Sequence, residues 1–158
     1  MIQAASRERN IFCRREDKLA EDKYTLKRFD IQQEDAIDVA VLEAIPFEYP
    51  ESGTEVVYET DEFTAVCPWT GLPDYGTLTI RYVPGPALIE LKSLKYYLLS
   101  YRQVGIVQEH AANRILKELV EVARPQRMAV TLDYKVRGGL HTAVTVHHEE
   151  APGGALTG

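Results

Sequence analysis

With 158 residues, 45% of them hydrophobic and 27% charged, the chain has room for one domain whose core folds without staples. Its net charge of −6 excludes a global basic field for nucleic acid, so any anion must be met by a local cluster of cations. Cys13 and Cys67 are too few for a disulfide framework and lack the spacing of a zinc knuckle, and no apolar run is long enough to span a membrane, so the composition predicts a soluble, cytoplasmic protein.

Residues 1–30 mix both charge signs, as in Arg14-Arg-Glu-Asp-Lys-Leu-Ala-Glu-Asp-Lys23, and read as a charged arm. Cys13 has no role there beyond local packing. Residues 31–148 are expected to form a single domain, and 149–158, rich in Gly and small residues, a flexible tail. Apolar residues cluster from Ala36 to Ile45, after which Pro46 and Pro50 impose extended backbone on their neighbours. Thr54–Tyr58 and Phe63–Val66 are short β-prone runs, and Thr77–Val83 alternates Leu78, Ile80 and Tyr82 against polar partners before Pro84-Gly-Pro86 ends it.

Two helices follow. Over Glu90–Arg102 the expected buried stripe is Leu91, Leu94, Leu98 and Tyr101, at spacings of three and four. Lys92, Lys95 and Arg102 form a second stripe one residue over, which is either a solvated basic face or a grip for a phosphate group. After Gly105 the second helix is expected from Gln108 to Ala123, with Ala112, Ile115, Leu116, Leu119 and Ala123 buried and Pro125 just beyond its end. Glu109 lies in its first turn, where the helix dipole favours a carboxylate. Met128, Val130, Leu132 and Tyr134 alternate on one further strand, and Leu140, Thr142, Val144 and Val146 on another, with Arg137-Gly-Gly139 as a tight turn between them. The order is ββααββ, which predicts an α+β architecture: an antiparallel sheet with two helices on one face. His141, His147 and His148 are read as surface histidines rather than metal ligands, because His141 and His147 are too far apart to share an ion unaided.

The candidate chemistry lies at Phe63-Thr-Ala-Val-Cys-Pro-Trp-Thr-Gly-Leu-Pro-Asp-Tyr-Gly76. A strand-like run delivers Cys67 into a loop of turn formers that ends in Asp74. On residue type alone, Cys67 is a small buried hydrophobe. The other reading is a nucleophile, which needs activation because an ordinary thiol at pKa ~8.5 is only a few per cent thiolate at neutral pH. A carboxyl carried on the far side of the same loop can fold back to act as its acid or base.

Four motifs in one order, Phe63-Thr-Ala-Val-Cys-Pro with Thr70-Gly-Leu-Pro-Asp74, Glu90-Leu-Lys-Ser-Leu-Lys-Tyr-Tyr-Leu, Gln108-Glu109 with Asn113, and Arg137-Gly-Gly139, closely resemble the short-form QueF family. The resemblance runs from about Leu42 to Val146. It implies an NADPH-dependent nitrile reductase that converts 7-cyano-7-deazaguanine into 7-aminomethyl-7-deazaguanine, on the way to the tRNA base queuosine. It implies the tunnelling fold, similar to GTP cyclohydrolase I, closed into stacked rings of subunits with active sites at their interfaces. By resemblance Cys67 is the nucleophile that forms a covalent thioimide, and Asp74 is the proton donor. Glu109 anchors the base, with Gln108, Ile89, Glu90 and Leu91 at the substrate-contact positions, while Leu91, Lys92, Lys95, Arg137 and Gly138 receive NADPH. No metal and no direct contact with nucleic acid are implied.

The chain departs from the family pattern at two positions. Gln108 stands where many members carry His, so this side chain hydrogen-bonds but holds no proton charge. Leu91 stands where many carry Ser, so a hydroxyl is lost. No Gly-x-Gly-x-x-Gly follows any strand, which leaves no Rossmann site for the cofactor. Two competing readings are a metal-dependent pterin or purine cyclohydrolase, which the missing ligand set around Cys67 argues against, and a catalytically silent ring module that only binds a purine.

Overall fold

The alternating runs build a four-stranded antiparallel sheet in the computed structural model, which describes residues 30–149. Apart from Asp30 and Glu149, the expected arm and tail, Cys13 included, lie outside the described residues. The sheet strands are β2 (Val56–Val66), β3 (Pro73–Val83), β5 (Arg127–Arg137) and β6 (Leu140–Glu149), in the order β2-β3-β5-β6. Every neighbour is antiparallel. The two runs expected before Cys67 are one strand, because a register shift between Thr60 and Phe63 lets β2 bend and continue. A three-residue pair, β1 (Ala44–Pro46) with β4 (Ala87–Ile89), adds a small second sheet. Such short runs flanked by prolines carry no readable alternation.

Even-numbered residues of β3 and β5 meet the helices. Leu78, Ile80, Tyr82, Met128, Val130, Leu132 and Tyr134 are all buried, together with Phe63 and Ala65 of β2. The odd-numbered face carries cross-strand polar pairs instead: Arg81 with Glu55, Thr79 with Glu59, Thr131 with Thr145, and His141 with Asp133. The β5–β6 turn is Gly138-Gly139 with φ of 57° and 83°, a conformation in which a side chain would be strained.

Helix α2 spans Gln108–Ala123, as its stripe predicts, and ends at Arg124 in the left-handed region. Helix α1 is shorter than expected, Leu91–Leu99, followed by a 3₁₀ turn over Ser100–Gln103. Its buried side is Ser93, Leu94 and Tyr97, and the 3₁₀ turn adds Tyr101, so the stripe is rotated and Leu91 stands 60% exposed. The cause is a polar network inside the helix layer. Tyr97 donates to the buried Glu118, which also accepts from Arg114 Nε at 2.7 Å, and the Tyr97 and Tyr101 hydroxyls meet at 2.7 Å. Burial pushes both phenols up, so they stay as neutral donors, and the carboxylate has its partners. Among the described residues, no helix is long and apolar enough to cross a membrane.

Candidate active site

The end of β2 is held on both sides. Val66 N–H donates to Val104 O at 3.0 Å and Val66 O accepts from Ile106 N–H at 3.2 Å, so the segment leading into α2 runs beside it. The loop then closes on itself: Cys67 N–H donates to Leu72 O at 2.9 Å, and Cys67 O accepts from Gly71 N–H at 2.8 Å, with Gly71 at φ 67°. This closure sets β3 in register with β2, placing Asp74 across from Ala65. Two residues beyond Ala65 lies Cys67, so strand alternation turns both side chains toward the helix-covered side. Both are buried, each 7% exposed.

Arg137 reaches the same place from the end of β5. Its Nη1 donates to Asp74 Oδ1 at 2.5 Å and its Nη2 to Thr70 Oγ1 at 3.5 Å. Burial pushes the Cys67 thiol up, but the Thr70 hydroxyl, Arg137, and the backbone groups of Thr70 and Trp69 together bring it down to about 7. From α2 come Gln108 and Glu109, which with Cys67, Trp69, Asp74 and Arg137 line one pocket of about 250 Å³. Trp69 stands 80% exposed at its rim. The Tyr134 hydroxyl is buried and, among the described residues, has no hydrogen-bond partner, and burial, then Asp74 and Glu109, push that phenol up.

The remaining expected site residues lie elsewhere. Glu90, Leu91, Lys92 and Lys95 line a second pocket of about 570 Å³ with an apolar floor that includes Phe63, Leu78, Ile80, Leu94 and Leu98. The two pockets share no lining residue. Glu90 is the N-cap of α1: its carboxylate accepts from the N–H of Lys92 at 2.9 Å and of Ser93 at 2.6 Å. Ile89 is buried, its N–H donating to Tyr82 and its carbonyl accepting from Tyr58. Lys92 and Lys95 are exposed, and neither makes an ion pair among the described residues. Gly138 sits in the turn beside Arg137.

One chain therefore brings together Cys67, Asp74, Gln108, Glu109 and Arg137, and keeps Glu90, Leu91, Lys92 and Lys95 apart from them. Sequence reasoning missed Thr70 and Tyr134. Tyr134 pairs with Gly76, two residues past Asp74, and its alternation with Leu132 assigned it to the core. Only the register shows that this core position adjoins the acid.

A family model described as QueF-like protein matches residues 73–153. The chain is 58% identical over 129 residues to a Caldicellulosiruptor bescii protein named NADPH-dependent 7-cyano-7-deazaguanine reductase, an alignment covering 82% of this chain and 98% of that one. A Caldanaerobacter subterraneus protein of the same name is 57% identical, over 82% of this chain and 96% of its own length. In fold, the chain is similar to the crystal structure of the archaeosine synthase QueF-Like in the apo form. That match has a TM-score of 0.58 at 24% identity and covers 65% of this chain and 100% of that one.

Proposed function

The chain belongs to the QueF family, and from that premise we infer that it is an NADPH-dependent 7-cyano-7-deazaguanine reductase of queuosine biosynthesis, working through a thioimide on Cys67. The observation that carries the mechanism is the shared pocket: a thiol drawn down to about 7 lies in one recess with Asp74 and Glu109. Its ~250 Å³ is just under the ~300–1,000 Å³ of drug-sized sites, in keeping with a small bicyclic base.

The chemistry follows from these groups. Cys67 Sγ adds to the nitrile carbon, a C–S bond forms, one π bond of C≡N breaks toward nitrogen, and Asp74 delivers a proton there. When bound, NADPH supplies one hydride to the thioimide carbon and, from a second molecule, one to the imine carbon. Between the two, Cys67 leaves as a thiolate, which its lowered pKa favours. Each hydride is matched by one proton at nitrogen, two over the cycle. Glu109 accepts hydrogen bonds from the amino-pyrimidinone edge of the base, and Gln108 adds a neutral hydrogen bond beside it.

Lys92 and Lys95 suit the cofactor's phosphates, being one turn apart, exposed and without an ion-pair partner among the described residues. Glu59, Glu62 and Glu90 line the same pocket, so the phosphates belong on its lysine side. Because these lysines and the Cys67 pocket are separate on one chain, the complete site takes Ile89, Glu90, Leu91, Lys92 and Lys95 from one subunit, and Cys67, Asp74, Gln108, Glu109, Arg137 and Gly138 from the next. Edge strands β2 and β6, each paired on one side in the sheet, suit an assembly that joins sheets into rings.

The test mixes the protein with 7-cyano-7-deazaguanine and no NADPH. A mass increase equal to the substrate and a new absorbance band are expected for the wild type and absent for Cys67→Ala; a wild type without adduct overturns the reading.

A further inference from the structure

Arg137 is close to half exposed, at 45% for its side chain, yet it is bound into the Cys67 pocket. Its guanidinium bonds Asp74 Oδ1 at 2.5 Å, reaches Thr70 Oγ1 at 3.5 Å in the loop that carries Cys67, lines the same pocket as the Cys67 sulfur, and draws that thiol's pKa down. The phosphate role implied by family resemblance asks for a cation that is available, and Lys92 and Lys95 meet that description better. A phosphate arriving at Arg137 has to displace the buried Asp74 side chain.

The other cations leave the sulfur unserved. Among the described residues no histidine lines the pocket, and position 108, beside the proposed base anchor, is glutamine. The remaining cation in the lining is Lys135, whose ammonium sits over the Tyr75 ring at 5.8 Å from its centroid. The charged and titratable groups around Cys67 are then Asp74 from β3, Glu109 from the first turn of α2, and Tyr134, Lys135 and Arg137 from β5. Of these, Asp74 and Glu109 oppose a thiolate when ionised, the Tyr134 phenol is kept neutral by burial, and only the two cations favour it. The α2 N-terminus also favours a thiolate, but Glu109 in its first turn offsets that field.

We propose that Arg137 is the residue that activates Cys67, holding the sulfur as thiolate and fixing Asp74 beside it before substrate arrives. Arginine suits this task because its rigid fork carries a permanent charge and several donors, so a single side chain bridges sulfur, hydroxyl and carboxylate. Lysine in the same place offers a point charge and one direction at a time. The proposal rests on Cys67 being the nucleophile of the reaction inferred above, and it adds the cation which that nucleophile requires.

The experiment follows alkylation of Cys67 by iodoacetamide against pH, in the full chain without substrate or cofactor, reading the Cys67 peptide by mass spectrometry so that Cys13 does not interfere. Wild type is expected to titrate near 7. Arg137→Gln should move the midpoint up by about one pH unit or more, cutting the rate at pH 7 roughly tenfold, and Arg137→Lys should fall between them. A thermal melt of each variant controls for folding; if Arg137→Gln fails to fold, Arg137→Lys decides alone. An unmoved profile in a folded variant overturns the proposal, and with a raised KM for NADPH it assigns Arg137 to phosphate binding only. A shifted profile together with no substrate adduct would keep the activation and sink the nitrile reductase reading; an adduct with an unshifted profile would do the reverse.

Discussion

The two pockets of this chain hold their charges in different ways. Around Cys67 the charges are interlocked within one chain: Arg137 binds Asp74 and Thr70 in the pocket that holds the sulfur, and the loop that carries Cys67 is closed by its own backbone. Around α1 the carboxylate of Glu90 is engaged as a cap, while Lys92 and Lys95 point outward over an apolar recess without ion-pair partners among the described residues. The first arrangement is preorganised, with its dipoles set before a ligand arrives. The second is a receiving surface, whose cations wait for an anion from outside. The covalent step proposed at Cys67 needs the former, since a thiol and an acid must keep fixed geometry, and the reversible cofactor binding proposed at Lys92 and Lys95 suits the latter.

The largest effect that tests this contrast is in the interlocked pocket. Asp74→Asn keeps the size of the side chain and removes its proton, so turnover should fall by ~10²–10⁴-fold while Cys67 still reacts with iodoacetamide. Single-turnover reduction of the nitrile measures it; activity within a few-fold of wild type would take the proton from elsewhere and remove Asp74 from the mechanism.

What was legible in the sequence divides along physical lines. Helix α2 was readable end to end because Ala112, Ile115, Leu116, Leu119 and Ala123 repeat at helical spacing and Pro125 stops continuation. Strand β5 was readable because Met128, Val130, Leu132 and Tyr134 alternate without interruption. For α1 the stripe was misjudged: Leu91 looks like its first member, but Glu90 caps the helix and Tyr97 and Tyr101 fill the interior because Glu118 can satisfy their hydroxyls. Strands β1 and β4 left no trace, since three residues show no period. The Arg137 contacts were invisible for another reason. They depend on β5 running on beyond its last pairing with β3, Tyr134 with Gly76, until Arg137 is level with the start of β3, a matter of register, and register follows from packing of all four strands together.

The next effect separates the pockets genetically. A Lys92→Ala, Lys95→Ala double variant should raise KM for NADPH roughly tenfold or more while leaving kcat less affected, as expected when binding rather than chemistry is lost. Assayed at low NADPH it is nearly silent, and Cys67→Ala is silent at any concentration. If each site takes its sulfur from one subunit and its lysines from another, refolding the two variants together restores about a quarter of the wild-type sites, by random assortment in a closed ring. No recovery on mixing, with both variants still assembling with wild-type subunits, would draw the sulfur and the lysines of each site from the same subunit and break the two-subunit reading.

The smallest effect concerns Glu90, the one side chain for which a local duty and a site duty compete. Its carboxyl lies below its ordinary value of 4.5, held there by the N–H of Lys92 first and of Ser93 second. A group with a lowered folded pKa contributes stability that is fully present above its unfolded value and lost as pH falls through the folded one. Replacing it with glutamine leaves a neutral acceptor at the cap but removes the charge that favours the helix N-terminus. Glu90→Gln should therefore melt below wild type at pH 7, and the gap between the two melting curves should close as pH is taken below about 4. A gap of the same size at pH 3 and pH 7 would mean that the charge contributes nothing to the cap. No gap at either pH, combined with weaker substrate binding, would free Glu90 from the helix and give it wholly to the neighbouring subunit's site.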